Sequence, residues 1–288
     1  MKLNVSLYIP VYNGASTIES VLKSVLKLNP APDEIIIVDD GSSDNTVNII
    51  NSYKKQIKII ENKENLGLAQ SRNIGIKNSK NEIVASLDAD VEVGSEWLKD
   101  LHDIMIKYDS SICGGTLIEK YKDKNIYNFW RHVHATQNNF GPIDIDNLGQ
   151  PLAGSNTLLK KYLWEKVGGY EVQYRTNGED SSFCQKLLAN NYKISFSSKA
   201  KAFHLRNDNL TSLLNSVRRA YIYGAGLKKP TFMRFVQRTI RHFKNFFIYS
   251  FKDIRIGKFL LIYINLMIFI NLAIKEFMGL IKNKSDYV

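Results

Sequence analysis

The residues of this chain best suited to chemistry are acidic, and they come in pairs. Asp88 and Asp90 close the apolar run Ile83-Val84-Ala85-Ser86-Leu87, with one residue between them. On an extended backbone positions i and i+2 share a side, so both carboxylates could face one polyanionic, metal-bearing ligand. The same residues also suit an ordinary acidic turn after a strand. Asp39-Asp40 ends a second apolar run, Glu34-Ile35-Ile36-Ile37-Val38. Glu179-Asp180 follows Gly178 and precedes Phe183, Leu187 and Leu188, and on its own reads as a helix N-terminus whose dipole favours acids. His204 stands alone after Ala200-Lys201-Ala202-Phe203 and by itself reads as structural. His132-x-His134 could bind a metal, but two exposed surface histidines are the better reading. Trp130 could stack on a sugar ring or simply be buried.

These residues need elements to carry them. Val5-Ser6-Leu7-Tyr8-Ile9 reads as a strand, followed by Tyr12-Asn13-Gly14 turn chemistry. Ser16-x-x-Glu19 reads as a capping box before a helix with Ile18, Val21, Leu22, Val25 and Leu26 on one face. Asp44 is expected to cap a second helix carrying Val47, Ile50 and Tyr53. A strand over residues 57–60 and a helix over 68–78 lead into the Ile83–Leu87 strand, buried because only Ser86 interrupts it. Such βαβ alternation implies parallel strands with right-handed crossovers. The polar clusters at Pro10–Asn13, Asp39-Asp40, Asn65–Gly67 and Asp88–Asp90 all follow strands, so they should gather on one sheet edge, where open α/β sheets bind ligands. Residues 112–116 read as a further strand. Residues 121–149 read as irregular and are the candidate acceptor-facing region.

Four motifs occur in order: Ile9-Pro10-Val11-Tyr12-Asn13, Val38-Asp39-Asp40-Gly41-Ser42-Ser43-Asp44, Asn65-x-Gly67-x-x-x-x-Arg72-Asn73-x-Gly75 and Leu87-Asp88-Ala89-Asp90. With them the chain resembles a family 2 glycosyltransferase over roughly residues 4–226. The resemblance implies an α/β fold: the Rossmann-like mixed sheet of the A-type glycosyltransferase (GT-A) fold, here followed by a helical C-terminal tail. It also implies transfer of a sugar from a nucleoside diphosphate, UDP-linked by expectation, to a hydroxyl of a glycan or lipid-linked acceptor. Such work belongs to cell-surface polysaccharide or glycolipid assembly in a bacterial envelope. By the resemblance Asp90 and His204 hold Mn²⁺ or Mg²⁺, with Asp88 on the metal's water or the ribose. Asp39 accepts from the base, whose pocket Pro10, Val11 and Tyr12 line, and Gly67 lets the backbone approach the nucleotide. Asp180 is the general base and Glu179 its neighbour on the acceptor. Arg72 is placed either near the diphosphate or in an ion pair.

Sugar transfer requires a neutralised leaving diphosphate, a deprotonated acceptor and in-line geometry. Direct displacement inverts the anomeric centre with one enzyme carboxylate, whereas retention needs a second one as nucleophile. No second well-placed acid is legible, so inversion is expected. The Q-x-x-R-W motif of the family's processive members is absent, so one or a few sugars are expected per acceptor. Two other classes remain in view. A nucleotidyltransferase should carry a basic, glycine-rich loop after its first strand, and Pro10–Gly14 has no basic residue. A non-catalytic nucleotide-sugar-binding protein would not need Glu179-Asp180.

The net charge is +11, with 12 Lys+Arg against 3 Asp+Glu in residues 228–288. The expected domains are therefore a catalytic part, 1–227, with a nucleotide-sugar half (1–110) and an acceptor half (111–227), and a basic, apolar tail, 228–288. In the tail Met233, Val236, Ile240, Phe243 and Phe247 form one helical stripe and Arg234, Arg238 and Arg241 another, a pattern that suits an anionic membrane surface. The uncharged run 259–274 reaches about 24 Å as a helix, short of the roughly 30 Å hydrocarbon core. A monotopic or shallowly inserted anchor at the cytoplasmic face of the cell membrane is expected, with a homodimer through the tail and a true span as the alternatives and no nucleic acid partner. Cys113 and Cys184 form no metal or disulfide pattern, and the first residues carry no expected signal peptide.

Overall fold

The computed structural model describes residues 2–136, 138–224 and 231–281, in two compact units. The first unit comprises Met1–Lys120 and Thr136–Arg206. Its strands are β1 (Lys2–Val11), β2 (Ala31–Asp39), β3 (Lys58–Glu61), β4 (Ile83–Leu87), β5 (Val91–Val93), β6 (Ile112–Glu119), β7 (Asn156–Lys160) and β8 (Ile194–His204). They form one eight-stranded sheet in the order β3-β2-β1-β4-β7-β6-β8-β5. The first four are mutually parallel, as the βαβ alternation requires, while β7 runs antiparallel to β4 and β6. Leu7, Ile9, Ile36, Ile37, Val84 and Ala85 are fully buried, which is why these strands read as continuous apolar runs.

Register decides where the acids go. Val11 pairs with Asp39, Asp39 with Glu61 and Tyr8 with Ser86, so the C-terminal ends of β2, β1 and β4 reach the same edge. On the far side Val91 pairs with His204 and Glu119 with His204, which brings the ends of β5, β6 and β8 together. The helices of this unit are α1 (Ile18–Val25), α2 (Thr46–Asn51), α3 (Leu68–Lys77) and α4 (Trp97–Lys107), then α6 (Lys161–Lys166) and α7 (Glu179–Ala189).

Two local expectations change. The Ser16-x-x-Glu19 capping box does not form: α1 starts after Thr17 with no side-chain cap, and Glu19 pairs with Lys23 instead. The Gly14 carbonyl takes the N–H groups of Thr17 and Ile18, while the Thr17 hydroxyl donates to Ala89 O at 2.8 Å. A tertiary bond to the loop bearing Asp88 and Asp90 has replaced the local one. Asp44 does accept from Thr46 N at 3.0 Å, but α2 stops at Asn51, short of Tyr53.

The second unit comprises Tyr121–Ala135 and Asn207–Val288. The expected boundary at residues 227 and 228 lies outside the described residues, as does the end of the tail. Helix α8 (Leu210–Gly224), expected in the catalytic part, clusters with α9 (Phe232–Arg255) and α10 (Leu260–Ile281). So does α5 (Ile126–His134), a nine-residue helix inside the stretch expected to be irregular. Asn125 caps it by accepting from Tyr127 N and Asn128 N, both at 2.9 Å. Trp130 is buried with Leu213, Leu261, Ile264, Ile268 and Leu272. Its indole N–H donates to Asn265 Oδ1 at 2.6 Å, so it is not a sugar platform. The side chain of His134, expected exposed, is covered, and its Nε2 lies 2.8 Å from Asp253 Oδ1. Arg238 leaves the expected surface row to pair with Glu276 at 3.3 Å.

Candidate active site

Arg72 lies at the centre of the sheet-edge acids. It is buried on α3, where Nη2 donates to Asp88 Oδ1 at 2.8 Å and Nη1 donates to Ser86 Oγ and Gly154 O, each at 2.7 Å. Its Nε faces Glu179 Oε1 at 3.4 Å. Arg72 is thus in an ion pair with Asp88. Ser86, the one polar interruption of β4, is explained too: its hydroxyl donates to Gly154 O at 2.9 Å. Gly154 N in turn donates to Asp180 Oδ2 at 3.0 Å. Asp88, just past β4, and Asp180 on α7 thus share one hydrogen-bonded frame through Arg72 and Gly154.

The rest of the arginine motif has different duties. Asn73 Oδ1 accepts from Tyr170 N and Trp164 Nε1, and its Nδ2 donates to Tyr170 O. It fixes the Gly168-Gly169-Tyr170 turn that leads toward α7. A Cβ at Gly75 would sit 2.5 Å from the Tyr8 ring, so glycine is required for α3 to lie on β1. Gly67 has φ +93° and a Cβ there would meet Arg175 backbone atoms at 3.0 Å. Close backbone packing against Arg175, not only approach to a nucleotide, requires this glycine.

Asp39 and Asp40 divide their work. Asp40 accepts from Leu66 N, Gly67 N and Asn62 Nδ2 and so shapes the 62–67 loop. Asp39 Oδ2 accepts from Ser42 N at 3.1 Å, but its Oδ1 is buried with no partner. An orphaned buried acceptor at a strand end is what a ligand N–H would satisfy. Beside it Pro10 and Val11 are buried and Tyr12 is about half exposed.

Asp90 and His204 meet across the β5–β8 pairing, with His204 Nε2 3.2 Å from Asp90 Oδ2. Two residues that sequence reasoning missed complete this cluster. Glu119 Oε1 lies 3.0 Å from His204 Nδ1, and Arg206 Nε donates to Asp90 Oδ2 at 3.3 Å. Glu119 reaches His204 only through the β6–β8 register, and neither residue belongs to a readable motif. Burial opposes a charge on His204, but Asp90 and Glu119 outweigh it and hold the imidazole up at about 9. Burial likewise opposes ionisation of Asp90, yet His204 and Arg206 keep it well below the usual carboxylate range. Asp88 is pushed up by burial against the pull of Arg72, with the Asp90 charge adding to the rise.

The expected ligand trio does not assemble as such. Asp88 is turned to Arg72, and among the described residues no group of three or more His, Cys, Asp and Glu is arranged to hold a metal ion. Asp90 and His204 remain as a converging carboxylate and imidazole, with Glu119 fixing the ring so that Nε2 points at Asp90. That donor set fits a divalent cation carried chiefly by substrate phosphate oxygens, as Mg²⁺ and Mn²⁺ often are, rather than an all-protein cage.

Comparison with known sequences and folds decides the family. The model of glycosyl transferase family 2 matches residues 6–167, more than half of the chain. The chain belongs to glycosyl transferase family 2. Poly-beta-1,6-N-acetyl-D-glucosamine synthase of Staphylococcus epidermidis is 30% identical over 217 residues, covering 70% of this chain and 50% of that relative. The chain thus spans about half the length of this relative. The sheet and its flanking helices have the GT-A fold. S. aureus TarS 1-349 in complex with UDP-GlcNAc superposes with a TM-score of 0.58 at 19% identity, covering 77% of this chain and 66% of that one. GalNAc-T7 with UDP, GalNAc and Mn²⁺ gives 0.56 at 19% identity, covering 76% and 47%.

For this glycosyl transferase family 2 chain, Glu179 carries a pH signature. Its carboxyl is buried, and burial, then the neighbouring Asp180 charge, push it up to about 7 despite Arg72. The folded state therefore keeps a proton that the unfolded chain releases near 4.5. Stability should be full below about 4.5, decline as pH rises to about 7 and stay lower above it. Glu179→Gln mimics the protonated form, so its Tm advantage over the parent should widen from pH 5 to pH 8, by an amount on the order of 1–3 kcal/mol. Parallel Tm curves would show that Glu179 does not hold this proton.

Proposed function

We propose that this protein is an inverting glycosyltransferase that moves a sugar from a UDP-linked donor to a hydroxyl of a glycan or lipid-linked acceptor, one or a few units at a time. The observation that carries the proposal is the frame joining Asp88 to Asp180 through Arg72 and Gly154. It fixes a donor-side carboxylate and a candidate base in one rigid arrangement. In the proposed step Asp180 takes the acceptor O–H proton, and the acceptor oxygen bonds to the anomeric carbon. The carbon–oxygen bond to the diphosphate breaks on the opposite side, giving inversion. Glu179, protonated near neutrality, is suited to hold an acceptor hydroxyl rather than to compete for its proton. Asp39 Oδ1 accepts a ring N–H of the base. Asp90 and His204 would hold Mn²⁺ or Mg²⁺, which would neutralise charge on the leaving diphosphate.

Support for the donor comes from relatives. The synthase's name carries N-acetylglucosamine, and the TarS structure holds UDP-GlcNAc. UDP-GlcNAc is therefore the first donor to try. At 100 times its Kd a bound donor adds about 2.7 kcal/mol of stability. A thermal-shift screen of UDP-, GDP- and TDP-sugars with Mn²⁺ should give its largest rise with a UDP-sugar. No rise with any nucleotide sugar, or a product that retains the donor's anomeric configuration, would refute the reading.

Metal uptake has its own test. A ligating imidazole must be neutral, and His204 is held up to about 9 in the free protein. Mn²⁺ binding at pH 7 should therefore release about one proton, seen by calorimetry in buffers of different ionisation heat. Binding without proton release would remove His204 from the ligand set.

A further inference from the structure

Helices α9 and α10 run antiparallel, since Arg238 meets Glu276, Phe243 meets Phe269 and Asp253 meets Asn265. α10 turns Leu261, Ile264, Asn265, Ile268, Leu272 and Glu276 inward. Its opposite side, Tyr263, Leu266, Ile270, Ile274 and Phe277, is exposed at 3-4-4-3 spacing. α9 exposes Ile240, Phe243, Phe247, Phe251 and Ile254 at spacings of 3, 4, 4 and 3 as well. Carried round from the shared seam of an antiparallel pair, helical phase brings both stripes out on one side. An apolar face of this extent exceeds what a soluble surface ordinarily shows.

The charge around it has one sign. Between residues 231 and 281 the acids are Asp253 and Glu276, both buried and paired. The exposed charges include Arg234, Arg241, Lys244, Lys252, Arg255 and Lys258, all positive. A second copy of the chain would bring the same cations to the same face, whereas an anionic lipid surface complements both the apolar stripe and its rim. At 22 residues α10 reaches about 33 Å, so length alone would let it cross a bilayer. The expectation from residues 259–274 that it is too short is thereby corrected. Its inner face argues otherwise. Asn265 binds Trp130 and Asp253, and Glu276 binds Arg238, so drawing α10 into lipid would strip buried charges of their partners.

We propose that α9 and α10 form an in-plane docking hairpin for a bilayer rich in anionic phospholipid. Both apolar stripes enter the interface and neither helix crosses it. Vesicle binding needs no sugar donor, so its outcome is independent of the transfer reaction. The full chain is mixed with phosphatidylcholine vesicles, either pure or carrying about a third phosphatidylglycerol, and co-sedimented. Binding should be at least about tenfold tighter with phosphatidylglycerol, and that preference should fade in high salt. The Phe247→Ser/Phe251→Ser/Ile270→Ser/Ile274→Ser variant changes exposed positions, so its Tm should be unchanged while binding falls by at least about a hundredfold. Equal binding to both vesicles, no binding, or a dimer of the parent that this variant makes monomeric would overturn the proposal. Depth is read with a fluorophore on single cysteines at Tyr263, Ile270 and Phe277, the native Cys113 and Cys184 being buried. Equal quenching by a shallow lipid-borne quencher is expected at all three. Deep burial at 270 between shallow ends would mean a crossing helix.

Discussion

The Asp180→Asn protein is expected to bind donor almost as well as the parent and to lose sugar transfer by a factor of about 10²–10⁴. Asparagine keeps the shape and an oxygen able to accept from Gly154 N, so the frame that positions α7 survives. What disappears is the ability to take a proton. Loss should therefore fall on kcat, with donor Kd from thermal shift or calorimetry changed little. Glu179→Gln is the matched control. It removes the neighbouring acid while leaving Asp180, and its kcat loss should be much smaller. Full turnover in Asp180→Asn, or equal losses in the two variants, would take the base role away from Asp180.

The second large effect belongs to Arg72. Arg72→Met leaves Glu179 in a buried site and Asp88 at its edge without their cation. Removing one partner of a buried charge cluster typically costs about 3–5 kcal/mol. The same change also removes the Arg72 hydrogen bonds to Gly154 O and Ser86 Oγ, which keep only each other, so Tm should drop sharply and kcat should fall even where the fold persists. Glu179 loses the cation that lowers its pKa and stays protonated at neutral pH, so the stranded charge is that of Asp88, and adding Asp88→Asn to Arg72→Met should restore part of the Tm. Activity should not return, because Gly154 and Asp180 are no longer braced. Arg72→Lys keeps a charge but not the fork that reaches Asp88, Ser86 and Gly154 at once, so it should fall between. If Arg72→Met melts like the parent and merely raises the KM for donor, Arg72 touches the diphosphate instead.

Much of this arrangement is legible in the chain, and the rest is hidden for physical reasons. The first half alternates strands and helices, and parallel strands with short returns leave few ways to place Asp39, Asp88 and Asp90 other than at one edge. Asp180 and His204 could be singled out only through a family resemblance, because a helix-start acid and a lone histidine are common. Glu119 and Arg206 were invisible. Their meaning arises from the β6–β8 and β5–β8 registers, which join residues 85 and 116 positions apart. Arg72 was visible as a residue but not as a brace, since the four residues it meets, Ser86, Asp88, Gly154 and Glu179, lie on other elements. The second unit was harder still. Trp130 and His134 look like surface or ligand residues until Asn265 and Asp253 arrive from more than a hundred residues away.

The short run Arg72-Asn73-Ile74-Gly75 has one more consequence. Its three marked residues serve as brace, clasp and contact spacer, and none of them is placed to exchange a proton with a sugar. A related chain that had given up catalysis and kept only its shape would still need all three. Finding this motif in an unfamiliar genome therefore reports that the scaffold is intact. Whether the scaffold is still an enzyme must be read elsewhere, at the positions proposed for the base and the cation, Asp180 and His204.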